Sequence, residues 1–455
     1  MKIPKWVYDR ITVITETIVG DSQWSINQRS VLRRFLADIW LGEADDDSWV
    51  ICTVRDIREY YASLSRNCEI NYQGNVTESN LLDFLPKLPD VSFLKGRAHK
   101  NANKRSSNTW RFSPERPASS LGSLELVDAE TGETITLREL LKSNGKAPKH
   151  DIGLEKRQGE LRQSEKQFLG MVARGRMHVS FVKALRQPLP EQHYRAGIRS
   201  LNHLYNAKIK GKYATYDHNY RLTFGGRYYD RAFQNLPNVL KAKFRSGWKN
   251  YDIEGCSLAC LNRLFARHNI DYRIYSTIYA DIMERTGLLR KQCKQMVHTT
   301  IYRVGRVTVG TNDGLGMAIC GWLGGDEKKA LKILRWWKKF IDPLRDALKT
   351  LLEEVQLAHQ KNCTSPRNYH RHVNDVGLIL DLNDEKFERE REHHQRYARD
   401  KSLLAFMTTG VEQAYIRELV RLNPGRVCML DHDGVVALGE LVLPDWAGFN
   451  LTIKD

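Results

Sequence analysis

A chain of 455 residues exceeds one small domain, because a single hydrophobic core stops growing well before that length, so two or three domains are expected. With 41% hydrophobic and 27% charged residues, it is too apolar for a disordered chain and too polar for a bundle of membrane helices. Its 71 Lys and Arg outnumber 54 Asp and Glu for a formal net charge of +17, which favours a polyanionic partner such as nucleic acid.

No apolar run approaches the roughly 18 uncharged residues that cross a bilayer. The start, Met1-Lys2-Ile3-Pro4-Lys5-Trp6, lacks the apolar stretch of a signal peptide, so a cytosol-like compartment and no membrane partner are expected. Eight scattered cysteines without a Cys-x-x-Cys pair imply reduced thiols and argue against structural zinc.

In chain order, residues 27–40 read as a helix and residues 43–47 as an acidic patch. Residues 95–117 are basic and rich in Ser and Asn, with one Trp and one Phe. They read as a loop or arm able to lie along phosphates, or equally as a solvated surface loop. Residues 142–149, containing Gly and Pro, make a linker into a charged helical pattern over 152–184, which puts a domain boundary near 150. Residues 258–265, 288–304 and 330–352 read as helices, the last interrupted by Pro343. Residues 429–442 read as paired strands.

Four constellations carry chemistry. The first is Gly225-Gly226-Arg227 followed by Gln234-Asn235-Leu236-Pro237. Glycines admit a close ligand, and Arg227, Gln234 and Asn235 offer donors to minor-groove or sugar-phosphate acceptors, although a surface turn explains the pattern as well. The second is Tyr251-Asp252-Ile253-Glu254-Gly255-Cys256-Ser257, a short strand that turns at Gly255 into an amphipathic helix. It puts Asp252 at a strand end, where it serves as a metal ligand or, with Glu254 and Ser257, caps the helix. The third is a helix with Arg290, Lys294, His298 and Tyr302 at successive i, i+4 steps, one slanting stripe that suits a triphosphate or a wet basic face. The fourth is Asp431-His432-Asp433-Gly434 between two apolar runs, a hairpin whose tip gathers two carboxylates and an imidazole.

Taken in order, the four resemble the polymerase core shared by family A DNA polymerases and single-subunit phage-type RNA polymerases. The Gly226-Arg227 and Gln234-Asn235-Leu236-Pro237 segments look like the family segment that grips the primer and template minor groove. Asp252 resembles the metal-binding aspartate of motif A, and His432-Asp433 the His-Asp of motif C. Arg290, Lys294 and Tyr302 match motif B, in which Arg and Lys hold the triphosphate and Tyr closes on the nascent base pair. Residues 404–413, ending in Gln413, look like the helix that precedes motif C. The resemblance covers roughly residues 200 to 445.

It implies an α+β right hand with an antiparallel palm sheet and a mostly helical N-terminal domain. The segments would be 1–150 accessory, 151–225 thumb, 226–265 and 346–455 palm, and 266–345 fingers. It further implies two Mg2+ ions on Asp252 and Asp433, Lys294 as a charge and proton donor, and Arg290, Lys294, His298, Tyr302 and Ser257 about the nucleotide. Arg227, Gln234, Asn235, His432 and Gln413 would lie along nucleic acid. Partners would be a DNA template with primer or an RNA product, nucleoside triphosphates and a helicase or other replication protein, as in a phage, plasmid or organelle element. Residues 1–150 show no exonuclease motif set, so no proofreading is expected there.

Ser257 stands where family A DNA polymerases carry a Glu that excludes the ribose 2′-hydroxyl, Arg303 replaces the usual Gly after the motif B Tyr, and His298 replaces a Phe. These are RNA-polymerase-like, whereas compact motif spacing and the Gln-Asn-Leu-Pro segment lean toward DNA synthesis, with an RNA polymerase or primase as the alternative. Asp252 and Glu254 also look like the first motif of a DEDD-type nuclease, with Asp271 and Asp281 downstream, and a non-catalytic DNA-binding replication protein is a further class.

Overall fold

The computed structural model describes residues 1–19, 26–42, 50–51, 90–97, 107–112, 114, 116–122, 124–143, 161–312, 314–384, 387 and 392–454. It is a mixture of helices and antiparallel sheets in two compact units. The first comprises Met1–His150, Arg174–Tyr220 and Asp230–Trp248, and the second Asp151–Ala173, Arg221–Tyr229 and Lys249–Asp455. The segment 151–225, expected as a thumb, is thus divided between the two.

In the first unit, helix Ile26–Leu41 buries Phe35, Leu36 and Trp40, and Trp40 lies edge-on to Trp6 and Tyr194. The helix end leaves carbonyls without helical partners. Arg195, 2% exposed, supplies them, its Nη2 donating to Ile39 O at 3.1 Å and its Nε to Trp40 O. The described part of residues 1–150 carries two three-stranded sheets beside its helices.

Two expectations fail here for one reason. Part of the stretch read as a loop, 95–117, forms antiparallel strands Val91–Arg97 and Ser107–Phe112, with Phe112 fully buried; residues 98–106 lie outside the described residues. Among the described residues, the helical pattern over 152–184 holds for Leu161–Met171 and Val179–Leu185, split by strand Gly175–His178 paired with Tyr213–Asp217; residues 144–160 are not described. At Gly175 a Cβ would fall 2.3 Å from the Tyr216 ring, so cross-strand packing governs that position. Periodicity within one segment does not register a partner strand dozens of residues away. The acidic patch at 43–47 lies outside the described residues.

The second unit begins with α1 (Leu161–Met171) and continues, after a hairpin around residues 221–229, with β1 (Lys249–Ile253) and α2 (Cys256–Arg267). Five helices follow: α3 (Ile278–Thr286), α4 (Arg290–Ile301), α5 (Gly314–Trp322), α6 (Glu327–Phe340) and α7 (Asp342–Asn362). A small hairpin of β2 (Arg371–Val373) and β3 (Ile379–Asp381) leads to the long α8 (Glu392–Leu422), then β4 (Val427–Asp431), β5 (Gly434–Ala437) and β6 (Leu451–Lys454). Pro343 does not kink a single helix; it sits in the first turn of α7, where its missing N–H costs nothing.

The principal sheet has the order β4-β5-β1-β6 and is antiparallel throughout. Every residue of β4 and β5 before the tip is buried except Asp431, as befits strands covered on both faces. α2 buries Leu258, Leu261, Leu264 and Phe265 and packs on α8, whose Leu404, Val411, Tyr415 and Leu419 are buried in turn. Each such Leu removed from water contributes about 2 kcal/mol, which fixes α2 and α8 on the sheet that carries Asp252 and Asp433. No helix among the described residues is long and apolar enough to cross a membrane.

Candidate active site

The site is built where β1 meets the β4–β5 hairpin. Register places Asp252 opposite Gly434, and Ile253 N donates to Asp433 O at 3.1 Å, so Asp433 is next in line to Asp252 at one end of the sheet. Gly434 is required there. A Cβ would stand 2.4 Å from Tyr251 O and 3.2 Å from Asp252 Oδ1, so glycine lets the hairpin lie this close against β1. His432, at φ 53°, takes the left-handed conformation that closes the two-residue tip.

Helix α2 starts at Gly255, φ 56°, with no side chain capping it. Asp252 and Glu254 are therefore not spent on the first helical N–H groups. Glu254 is exposed and, with Asp271, Arg263 and Asn450, lines a separate hollow of about 650 Å³ that Asp252 does not line.

From the other side comes α4. Cys293, Met296, Val297, Thr300 and Ile301 bury one face, and Thr300 Oγ1 accepts the Trp337 indole N–H of α6 at 2.9 Å, which fixes the helix in rotation. The stripe then brings His298 toward Asp433. Burial lowers the His298 pKa, Lys294 one turn back lowers it further, and Asp433 pulls it up, so His298 lies within electrostatic reach of Asp433. Burial raises the Tyr302 phenol, while the neighbouring Ser257 of α2 and Arg227 draw it down. Lys294 is exposed, and the Arg290 guanidinium lies 5.6 Å over the Tyr279 ring of α3.

Arg227 completes the group. Its Nε and Nη2 donate to Glu412 Oε1 and Oε2 of α8 at 2.6 and 2.5 Å, a bidentate pair. Burial works against the guanidinium charge, and the Glu412 carboxylate more than offsets it, so the Arg227 pKa is raised. Gln413 Nε2 donates to Glu412 Oε1 at 2.9 Å and to His432 O at 3.3 Å, and the Tyr229 and His432 rings are 6.0 Å apart. Cys256, beside Cys260 and Glu412, has its thiol pushed well up by the Cys260 hydrogen bond, burial and the nearby carboxylates, so it is a neutral wall of the site.

The structure thus gathers Asp252, Asp433, His432, His298, Tyr302, Ser257, Arg227 and Gln413 in the second unit. Gln234 and Asn235 belong to the first unit. Gln234 is 5% exposed and its amide oxygen accepts the Asp230 N–H at 2.9 Å, so that oxygen holds a turn. Gly225 and Gly226 do not face open space for a ligand either. A Cβ on Gly225 would meet Thr409 of α8 at 2.5 Å and one on Gly226 would meet Val376 at 2.6 Å, so these glycines admit protein.

Two charged residues of the site have no counterpart in the four sequence constellations. Glu412 stands one residue before Gln413, and Lys454 on β6 pairs its ammonium with Asp252 Oδ2. The signal for Glu412 was a carboxylate within an apolar helical run. Lys454 gave none.

Among the described residues no group of three or more His, Cys, Asp or Glu is arranged to hold a metal ion. Asp252 and Asp433 nevertheless fit magnesium, which typically takes one or two carboxylates and completes its shell with water and substrate phosphates. The ammonium paired with Asp252 marks that carboxylate as one that accepts a cation.

No protein-family model matches the chain, and no curated protein sequence matches it. Among solved structures it is similar to the POL domain of Pol1 from M. smegmatis in complex with DNA primer-template and dNTP, at 14% identity and a TM-score of 0.35, over 96% of this chain and 66% of that one, just under two thirds of its length.

Proposed function

We propose that the second unit is the catalytic core of a template-directed nucleotidyltransferase, a DNA-directed DNA polymerase of the family A type. One observation carries the reading: two aspartates 181 positions apart in numbering, Asp252 and Asp433, stand side by side at one end of a sheet, and His298 of the cationic stripe lies within electrostatic reach of Asp433. Under it, the four-stranded sheet with α2 and α8 is the palm and residues 266–345 are the fingers.

Asp252 and Asp433 would hold magnesium, which when bound lowers the pKa of an attacking hydroxyl and stabilises negative charge on departing pyrophosphate. The chain's own groups do the rest. Exposed Lys294 and Arg290 supply positive charge for a triphosphate, and closure of α4 would bring them onto it. Tyr302, beside Ser257, would offer a face for the nascent base. Arg227, anchored by Glu412, and His432 with Gln413 would hold the primer end. Ser257 is small beside Tyr302, so ribonucleotides should enter as well, and this favours RNA polymerase or primase as the second reading. The DEDD nuclease reading draws no support, because Glu254 and Asp271 line a hollow that excludes Asp252.

The test supplies primed and unprimed DNA templates with magnesium and dNTPs or NTPs, and reads the products on a gel. The wild-type chain should extend the primer with dNTPs and, to a substantial degree, NTPs. Asp252→Ala and Asp433→Ala should each lower extension by about 10³-fold or more while DNA affinity changes little. Extension retained in both variants excludes the assignment.

A further inference from the structure

Asp252 already bears a cation, and the cation belongs to the chain. Antiparallel register sets Thr452 of β6 opposite Asp252 and Lys454 opposite Asn250, so Lys454 is the diagonal neighbour of Asp252 on the same face, a separation that a long side chain spans. Its ammonium meets Asp252 Oδ2. The two partners differ in freedom: the Asp252 side chain is 16% exposed and that of Lys454 is 54% exposed. The carboxylate is therefore fixed by the sheet, while the lysine reaches it from solvent on a flexible four-carbon stem and can swing off.

An ammonium and a divalent ion compete for that carboxylate, because each cation at the oxygen repels the other. Resting on the reading of Asp252 as a metal ligand, we propose that Lys454 is a built-in competitor for the metal site: it neutralises Asp252 when no divalent ion is present and is displaced when one binds. Released beside the same carboxylate, the ammonium is positioned to meet the phosphates of an incoming nucleotide. The exchange makes loading by the bare ion unfavourable and loading together with a nucleoside triphosphate favourable.

The size of the effect follows from exposure. A half-solvated ion pair competes by a factor of several rather than by orders of magnitude. The probe is Mn2+, its free concentration followed by electron paramagnetic resonance, titrated into the full chain without nucleotide. Lys454→Met should bind Mn2+ about fivefold more tightly than wild type, Lys454→Arg should stay at wild-type affinity because it keeps the charge, and Asp252→Asn should bind weakest. Circular dichroism of each variant checks that the fold is kept. With a non-hydrolysable nucleoside triphosphate present, the gap between wild type and Lys454→Met should narrow. Unchanged or weaker Mn2+ binding in Lys454→Met overturns the proposal, as does equal tightening in Lys454→Arg or an absence of Mn2+ binding in every form. If the Mn2+ order holds and no form extends a primer, the polymerase reading falls and the exchange stands. If primer extension depends on Asp252 and Lys454→Met leaves Mn2+ affinity unchanged, the reverse is true.

Discussion

Glu412 is 4% exposed within α8, where a carboxylate without a partner would cost several kcal/mol of desolvation. Arg227 and Gln413 meet it with hydrogen bonds, and the pair holds the 221–229 hairpin on the helix. Removing one partner should hurt more than removing both. Glu412→Gln should lower the urea-unfolding free energy by about 2 kcal/mol, less than for a fully buried pair because the Arg227 side chain is 35% exposed, and the double change Arg227→Met with Glu412→Leu should recover most of it. A Glu412→Gln chain as stable as wild type would show that the pair contributes nothing. Asp252 and Asp433 are legible in the sequence because each sits beside its own turn signal, Gly255 or Gly434, and turn chemistry is local. Glu412 and Lys454 are not, because the worth of a charge lies in its partner, and theirs stand 185 and 202 residues away. The glycine pair at 225–226 follows the same rule: in the sequence it reads as room for a ligand or as a surface turn, and Thr409 of α8 pressed against it is not visible there.

At the scale of elements, the hairpin β4–β5 and the helices α2 and α4 follow from their own residues, since turn type and an apolar stripe are properties of a short window. The sheets of the first unit do not, because strands such as Val91–Arg97 and Gly175–His178 are stabilised by partners their own windows do not contain. The junction of α7 with β2 shows another element-level property, a group of three histidines. His372 is 2% exposed, its ring is 4.5 Å from that of His359, and burial, reinforced by His359 and His370, pushes its pKa down to about 4. His370 in turn faces Asp381 of β3 at 3.6 Å, and Cys363 Sγ lies 3.2 Å from His359 Nε2. A folded pKa below the unfolded value of 6.5 means that the unfolded chain takes up the proton first. Stability from His372 is therefore complete above pH 6.5 and is lost as pH falls from there toward 4, up to about 3 kcal/mol. Urea midpoints taken between pH 7.5 and 4.5 should fall more steeply for wild type than for His372→Phe. Parallel curves for the two would mean that His372 is protonated as readily in the fold as out of it.

Over the whole molecule the dominant quantity is the net charge of +17, which acts on any polyanion before a single base is read. Binding to duplex DNA should therefore weaken linearly on a logarithmic plot against salt, and a track touching six or more phosphates should lose about 10³-fold in affinity between 50 and 200 mM salt. Asp252→Ala and Asp433→Ala should keep that slope, because neither removes a cation. The slope alone does not separate a polymerase from a DNA-binding replication protein, since both would release the same counterions. A second measurement does: at fixed salt, adding magnesium with the dNTP complementary to the next template base should tighten binding of a primed template, and a mismatched dNTP should not. That discrimination requires Lys294, Arg290 and Tyr302 to act together with the carboxylates on one ternary complex. A chain whose affinity follows salt but ignores the identity of the dNTP would be a binder, and the arrangement of Asp252, Asp433 and α4 would then have no role in synthesis.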